Sequence, residues 1–352
     1  DRDGDQDLLI TNINQPPQLL ENTTSNSGNW LDVVMGPDRS AIGAKVYATT
    51  GSLMQRRDII TGRSFLTGTP SEVHFGLGAS NTVDELRVMW NDGLQYRFRD
   101  VTANQLLRFH RPESPAAYQQ SDQQLESTEP DTLGVSAEIS RAQSFTTDSA
   151  GHLTQVILDL GRHDSTTEPL WVEVHKIKDG LPSGNALASV GILPAAIETS
   201  LSKVTIDLRA FGLNFLAGQE FAIVLKTTDP QTDAFIWRAV AEGGYENGTS
   251  FENTDAEWAN TADTPETEFA FETFIDPGLT DFSMRTMPND ELEFRWTTRA
   301  GERYNILGST TLETGVQAWQ IIKPDVSPLI TLPWHSEENE SYFYSLETIS
   351  VP

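Results

Sequence analysis

The sequence predicts an all-β protein made of β-sandwich or jelly-roll modules in series, and three observations support this fold class. Short runs of alternating apolar and polar residues, rich in β-branched and aromatic side chains, recur along the chain. Turn sequences such as Asn91-Asp92-Gly93 and Asp179-Gly180 separate these runs. No stretch of about 12 residues carries apolar side chains at the spacing of a helix. The clearest predicted strands are 30–35, 45–50, 85–90, 153–158, 171–176, 203–208, 221–226 and 291–297.

The amino-acid composition limits the class of protein and the kind of partner to be expected. The chain has 352 residues, with 51 Asp and Glu against 24 Lys and Arg, and a formal net charge of −27. Such a charge repels nucleic acid and anionic membranes and attracts cations. Cysteine is absent, which is typical of bacterial extracellular β proteins, and no apolar run approaches the ~18 residues of a membrane span. We therefore expect a secreted or bacterial cell-surface protein with no nucleic-acid partner and no membrane insertion.

Composition also predicts the domain boundaries. Residues from about 112 to 131 are polar and rich in proline, with little to bury, as in a linker. A second, shorter boundary lies at Asp276-Pro277-Gly278. The predicted parts are a calcium-loop repeat at 1–28, a β domain at 29–111, a linker at 112–134, a jelly-roll domain at 135–276 and a small sandwich at 279–352.

The first seven residues predict a metal site. Asp1, Asp3, Asp5 and Asp7 place carboxylates at every second position around Gly4. Calcium takes six to eight oxygen ligands at ~2.3–2.6 Å, and a tight loop with alternating carboxylates supplies them. The simpler interpretation is an acidic stretch in an acidic protein, but it accounts for neither the strict spacing nor the glycine. We predict that the four aspartates bind Ca²⁺, with a main-chain carbonyl and water completing the shell.

The N-terminal third resembles two known families. Residues 1–22, with the pattern DxDGDxDLxxxN, resemble the last calcium-loop repeat of FG-GAP/VCBS-type β-propellers. The residues that follow resemble the ASPIC/UnbV domain, which commonly comes directly after such repeats. The matching motifs are Asn29–Leu31, Arg39–Val46, His74–Gly78, Val83–Leu86, Val88–Gly93 and Val101–Gln105. Asn91 departs from the family, which usually has proline there. The resemblance implies an extracellular, cation-associated module without established catalytic residues.

The middle and C-terminal segments resemble other bacterial surface modules. Residues 135–276 resemble jelly-roll domains that look like carbohydrate-binding modules, and residues 279–352 resemble an immunoglobulin- or fibronectin-like sandwich. Trp237, Tyr245 and Trp258 are the candidate sugar-stacking residues, since aromatic rings pack on the apolar faces of sugars. The apolar run around Trp237 favours a place in the core. For Tyr245 and Trp258, which flank polar loop sequence, both interpretations stay open.

Motifs of known enzyme classes are missing from the sequence. None of the six histidines has the spacing of a zinc pair, and neither a GxSxG motif nor a P-loop occurs. Glycosidases use a pair of catalytic carboxylates, and in a chain with 51 acidic residues their number alone does not identify such a pair. We therefore predict a non-enzymatic, calcium-binding adhesion or interaction protein whose partner is a polysaccharide, a cell-surface glycan or a copy of itself. The alternatives are a self-associating fibre or surface-layer subunit and the accessory region of a secreted polysaccharide-degrading enzyme.

Overall fold

Strands make up nearly all of the regular structure, so the all-β prediction is confirmed. The computed structural model describes residues 4–23, 28–36, 41–62, 68–109, 120–127, 131–240, 245–254, 258–260 and 267–276, and the backbone of six strands beyond them. The chain divides into two compact units, one of residues 1–113 with 121–275 and one of residues 114–120 with 276–352. No helix in the described part is long and apolar enough to cross a membrane.

The N-terminal segment begins with a hairpin and a small mixed sheet. The hairpin pairs β1 (Leu8–Asn12) with β2 (Gln15–Leu20). The small sheet has the order β6–β3–β9, with β3 (Asn29–Met35), β6 (Glu72–Gly78) and β9 (Gln105–Phe109). β3 is antiparallel to β6 and parallel to β9. Alternate side chains of β3 are fully buried, as expected for a sheet with one face on the core.

The largest sheet has ten strands, and it runs through both the N-terminal and the middle segments. Its order is β21-β20-β12-β18-β14-β15-β8-β7-β4-β5. The strands are β4 (Lys45–Thr50), β5 (Leu53–Asp58), β7 (Thr82–Met89), β8 (Gln95–Thr102), β12 (Ser140–Thr146), β14 (Leu170–Lys178), β15 (Leu181–Ile192), β18 (Glu220–Lys226), β20 (Ser250–Asn253) and β21 (Trp258–Asn260).

A second large sheet of eight strands belongs to the middle segment. Its main path is β10-β23-β13-β19-β11, with β16 and β17 also paired to β13 and β22 paired to β19. The strands are β10 (Gln120–Leu125), β11 (Thr132–Val135), β13 (Gly151–Arg162), β16 (Ser202–Asp207), β17 (Asn214–Phe215), β19 (Phe235–Val240), β22 (Glu268–Phe269) and β23 (Phe271–Asp276). Two 3-10 turns lie at Pro194–Ala196 and Arg209–Phe211.

The main hydrophobic core of the first unit extends from Leu31 in the N-terminal segment to Ile275 at the end of the middle segment. The alternation of side chains along each strand determines which residues belong to this core. In β18, Phe221, Ile223 and Leu225 lie in the main core. Ala222 and Val224 of the same strand face the other side of the sheet. Phe211, from the middle segment, packs edge-on to Tyr96 at 5.5 Å and stacks on Phe98 at 4.8 Å, and both of these belong to β8. The aromatic contacts therefore join the two segments.

The predicted separation of residues 29–111 from residues 135–276 is not what the structure shows. β8 pairs antiparallel with β15, with Tyr96 opposite Val190 and Gln95 opposite Gly191. The two segments thus share a sheet and a core rather than following one another as separate modules. Local periodicity identified both strands, but it carries no information about which distant strand each one pairs with.

The predicted linker at 112–134 contains strand β10 and most of β11. Gln123 in β10 is buried, and its backbone N–H donates to Thr273 Oγ1 at 3.1 Å. The polar sequence of this stretch is compatible with burial because its polar groups find hydrogen-bond partners. Residues 110–119 and 128–130 lie outside the described part of the chain.

In the second unit, the six strands that the structure describes form two three-stranded antiparallel sheets. One has the order β24-β25-β28, from β24 (Ser283–Thr286), β25 (Glu291–Arg295) and β28 (Leu329–Pro333). The other has the order β27-β26-β29, from β26 (Glu302–Ser309), β27 (Gln320–Val326) and β29 (Phe343–Ser350). This strand content is compatible with the small sandwich that the sequence predicts for 279–352.

A glycine at the β8–β15 junction makes room for a large side chain. Gly191 stands between Trp171 of β14 and Gln95 of β8 in the register of the sheet. A Cβ at Gly191 would lie 3.0 Å from Trp171 Cη2 and 3.2 Å from Gln95 Cβ. Trp171 is only 5% exposed and cannot move away easily. A side chain at position 191 would therefore crowd both neighbours.

We expect Gly191→Val to destabilise the first unit by about 1–3 kcal/mol, the usual cost of overpacking a filled site. The matched control is Gly76→Val in β6, where a new Cβ meets nothing within 4 Å. Calorimetry of the full chain measures both. Because residues 29–111 and 135–275 share a core, the Gly191 variant should lower one common transition. A shift of the N-terminal segment alone would contradict the shared sheet.

A buried carboxylate lies next to this junction. Glu173 of β14 is 1% exposed; its Oε1 accepts a hydrogen bond from Ser189 Oγ at 2.9 Å, and its Oε2 lies 3.0 Å from His175 Nε2. Lys226 forms an ion pair with the same carboxylate. Burial opposes ionisation of Glu173, but the hydrogen bond with His175 and the charge of Lys226 outweigh it and lower the pKa to about 2.

This depressed pKa predicts a pH dependence of stability. Glu173 stabilises the fold above its ordinary pKa of 4.5, and that contribution is lost as the pH falls from about 4.5 towards 2. Glu173→Gln should therefore be less stable than the wild type at neutral pH and lose less stability over that acid range. Urea unfolding at a series of pH values measures the difference. Glu126→Gln, at an exposed ion pair with Lys203, is the control and should follow the wild type. Parallel pH profiles for Glu173→Gln and the wild type would contradict the assignment.

Candidate functional site

The Asp-rich loop is held against the N-terminal domain by its glycine. Gly4 is buried with φ +100°, a left-handed conformation that favours glycine. A Cβ at Gly4 would fall 1.8 Å from Trp30 Nε1, so the turn rests directly on the indole of β3. The bend that the sequence predicts at Gly4 is present. Asp1 and Asp3 lie outside the described residues.

The other end of the loop is fixed by Asp7. Its Oδ1 accepts a hydrogen bond from the backbone N–H of Asn22 at 2.9 Å, which closes the base of the β1–β2 hairpin. In the described part of the chain, no group of three or more His, Cys, Asp or Glu side chains is arranged for a metal ion. Of the four predicted calcium ligands, the structure describes Asp5 and Asp7. These oxygen donors fit a cation such as calcium, and Asp1 and Asp3 would have to supply the rest.

The hairpin that follows the loop exposes an unusual amount of apolar surface. Its two strands pair with Leu8 opposite Leu20 and Leu9 opposite Leu19. The exposed apolar side chains are Leu8 at 55%, Leu9 at 64%, Ile13 at 91%, Leu19 at 69% and Leu20 at 51%. Leu8 and Leu20 lie on one face of the hairpin and Leu9 and Leu19 on the other, so each face presents a pair of exposed leucines, and exposed apolar patches often mark an interaction surface.

Trp237 is a core residue, which removes it from the candidate sugar-binding set. It is fully buried in β19; its Nε1–H donates to the Ala270 carbonyl at 2.8 Å, and its ring stacks on Phe269 at 4.4 Å. β19 lies inside the eight-stranded sheet, so the inward side of the apolar run Phe235-Ile236-Trp237 faces the core. A sugar cannot reach this ring.

Tyr245 and Trp258 do not form one binding platform. Tyr245 packs against the main core, edge-on to Phe271 at 5.2 Å, and its hydroxyl donates to Gln123. Burial raises its pKa above the ordinary value. Trp258, in edge strand β21, packs on a separate apolar cluster formed by Ala142, Ala222, Val224 and Phe251. Because that cluster lies on the opposite face of the ten-stranded sheet, one sugar chain cannot stack on both rings.

A cleft of about 430 Å³ lies on the eight-stranded sheet, and the sequence analysis did not predict it. Apolar residues of β10, β13 and β23 line it, with Glu126, Asp159, Lys203 and Glu272 as its charged residues. Asp159 is directly opposite Lys203 in the sheet and accepts a hydrogen bond from Arg238 at 2.6 Å. Asp159, Lys203 and Glu272, which line the cleft, occupy outward positions of β13, β16 and β23. They can be recognised as one group only when the pairing of these strands is known. An apolar floor with a few polar groups suits a small ligand such as a saccharide.

Comparison with known proteins identifies one part of the chain. No curated protein matches the chain. The resemblances of residues 1–28, 135–276 and 279–352 remain predictions. Residues 35–116 match the family model described as ASPIC and UnbV, which confirms the resemblance indicated by the motifs in this stretch and shows that an ASPIC/UnbV domain contributes strands β4 to β9.

Proposed function

We propose that the chain is a calcium-binding interaction module of an extracellular or cell-surface protein, in which calcium fixes an apolar hairpin for contact with another copy of the chain. The observation that carries the proposal is the β1–β2 hairpin, with Ile13 at 91% exposure and four exposed leucines. It begins immediately after Asp7, the last predicted calcium ligand. Metal binding and the contact surface are thus adjacent in the chain.

The loop geometry explains how calcium would act on the hairpin. Gly4 rests on Trp30, and Asp7 holds Asn22 at the hairpin base, so the loop joins the hairpin to the domain. Four carboxylates within a few ångströms repel one another unless a cation lies between them. Calcium that binds only the folded loop adds about 2.7 kcal/mol at a hundredfold excess over its Kd. Calcium would therefore order the hairpin, and an ordered apolar surface associates at a lower entropic cost.

The proposal predicts that calcium binding and self-association are separable. The experiment uses a chain extended by a few residues before Asp1, so that no terminal amine adjoins the site. Calorimetric titration with Ca²⁺ should give heat for the wild type and for Leu9→Asp, and none for Asp3→Ala or Asp5→Ala. Light scattering should show calcium-dependent association only for the wild type, and Mg²⁺ should substitute poorly.

The matched control for Leu9→Asp is Leu216→Asp. Both leucines are 64% exposed, but Leu216 lies outside the hairpin. Leu216→Asp should associate as the wild type does. If the extended wild-type chain gives no calcium heat, the site is refuted. If Leu9→Asp and Leu216→Asp reduce association equally, the hairpin is not the contact surface.

A second candidate function is glycan binding, and the cleft on the eight-stranded sheet favours it. The cleft brings Asp159, Lys203 and Glu272 around an apolar floor, whereas the predicted aromatic residues lie apart or buried. Carboxylates and an ammonium group can hold sugar hydroxyls by hydrogen bonds. If the glycan binds in the cleft, the role of Tyr245 is structural, because its ring packs against Phe271, which lines the cleft.

Affinity electrophoresis against neutral cello-, xylo- and manno-oligosaccharides tests the cleft. Lys203→Ala should weaken retention about tenfold with little loss of stability, because its ion pair with Glu126 is exposed. Glu272→Ala should behave in the same way. Trp258→Ala is the control and should bind as the wild type does. Loss of retention only in Trp258→Ala would contradict binding in the cleft and would favour Trp258, the candidate from the sequence, as the binding residue.

A further inference from the structure

A straight row of positively charged and aromatic residues crosses the ten-stranded sheet. In register, Arg97 of β8 is opposite Arg87 of β7, Arg87 is opposite Tyr47 of β4, and Tyr47 is opposite Arg56 of β5. Residues directly opposite each other point to the same side of a sheet. The neighbouring positions Tyr96, Val88 and Val46 are fully buried in the core, so this row lies on the outer face.

Aromatic rings hold the guanidinium groups in place. The Arg97 guanidinium carbon lies 3.5 Å from the centre of the Trp171 ring. The corresponding distances to the Tyr47 ring are 4.5 Å for Arg87 and 5.9 Å for Arg56. Cation–π contacts restrict the mobility of the arginines without neutralising their charge. The row is therefore preorganised; Arg56 is its most exposed member, with 49% of its side chain accessible, whereas the Arg97 side chain is 16% exposed.

Carboxylates balance the charge of this row only in part, although Glu173 adds to the compensation of Arg97. Arg56 pairs with Asp58 at 2.7 Å, and Arg97 shares Glu85 with Arg99 at 3.5 and 3.6 Å. Arg87 has no carboxylate partner among the described residues, and its buried Nε has no hydrogen-bond acceptor there.

Two arginines directly opposite each other destabilise a sheet unless something compensates them. In a chain of net charge −27, acidic residues are abundant enough to have supplied a partner for each arginine. The excess of positive charge on this face is therefore unexpected. It is the property that an anionic ligand requires.

We infer that this arginine row, defined as Arg56, Arg87 and Arg97, binds a linear acidic polysaccharide that carries carboxylate or sulfate groups at regular intervals. Strands in a sheet lie about 4.8 Å apart, so the row extends about 14 Å across β8, β7, β4 and β5. Arg97 and Arg87 lie on adjacent strands and Arg56 lies two strands beyond Arg87, so the row offers three cations along one line to a linear polyanion. Guanidinium groups also bind carboxylate and sulfate oxygens through paired N–H donors.

The same geometry argues against other occupants. The Trp171 and Tyr47 rings carry guanidinium groups on their faces, so neither ring is open to stack on a nucleobase or a neutral sugar. Single-stranded nucleic acid gains much of its affinity from base stacking, which these rings cannot supply, so it would contact the row through its phosphates alone. A neutral glycan offers no charge for the arginines to pair with. The inference does not depend on calcium or on the cleft, because none of those residues belongs to the arginine row.

Binding to polygalacturonate, in a chelating buffer at about 20 mM salt, where screening is weak, tests the inference with calcium removed. Heparin is the sulfated probe, and dextran and single-stranded DNA are the comparison ligands. We expect binding to both acidic polysaccharides, none to dextran, and weaker binding to DNA. Arg87→Gln and Arg56→Gln should each weaken binding several-fold, and the double variant about tenfold or more, with a shallower salt dependence.

The matched control is Arg108→Gln, which removes one positive charge from the exposed surface of β9, outside the row. It should retain wild-type affinity. Arg56 is half-exposed, so Arg56→Gln provides a variant whose folding is not at risk, and melting temperatures check every protein. Equal losses in Arg108→Gln and Arg87→Gln, or no binding of the wild type to either polysaccharide, would overturn the site. Tighter binding to DNA than to polygalacturonate would overturn the proposed ligand class.

Discussion

The pairing of β8 with β15 determines the organisation of the larger unit. Two residue pairs, Tyr96 with Val190 and Gln95 with Gly191, join the sheet of the ASPIC/UnbV domain to the sheet of the middle segment. Trp171 lies across this junction beside Gly191, where a Cβ would approach its ring to 3.0 Å. Below it, Phe211 packs on Tyr96 and fixes the two halves of the core to each other.

This junction also builds the face that carries the arginine row. Arg97 belongs to the N-terminal segment and Trp171 to the middle segment, so their cation–π contact exists only because the two share a sheet. The middle segment contributes Glu173, whose carboxylate takes Lys226 and His175 as partners. Glu85 and Glu173 both offset the charge of Arg97, whereas Arg87 has no carboxylate ion pair among the described residues.

Sequence predicted those features that depend on local chemistry. All eight predicted strands coincide with observed strands or overlap them, because alternation of apolar residues is a property of neighbouring positions. Gly4 and the turn at Asp179-Gly180, both with positive φ, were predictable for the same reason. The β8–β15 pairing and the arginine row were not, since each depends on the register between distant strands. β10 was missed because its polar residues are satisfied by partners such as Thr273, about 150 positions away.

The charge distribution explains how an acidic protein could have three different kinds of contact. At physiological ionic strength, electrostatic fields decay over about 8 Å, so a ligand close to the surface responds to the local charge and not to the total of −27. The arginine row, about 14 Å long, is therefore large enough to act as a positive surface on its own. Elsewhere like charges on two copies of the chain would oppose their close approach, most strongly where carboxylates are concentrated. The Asp-rich loop is such a place, and it adjoins the exposed leucines of the hairpin. Neutralising that loop with calcium would remove repulsion at the point where apolar contact can form, so electrostatics would add to the effect of ordering the hairpin.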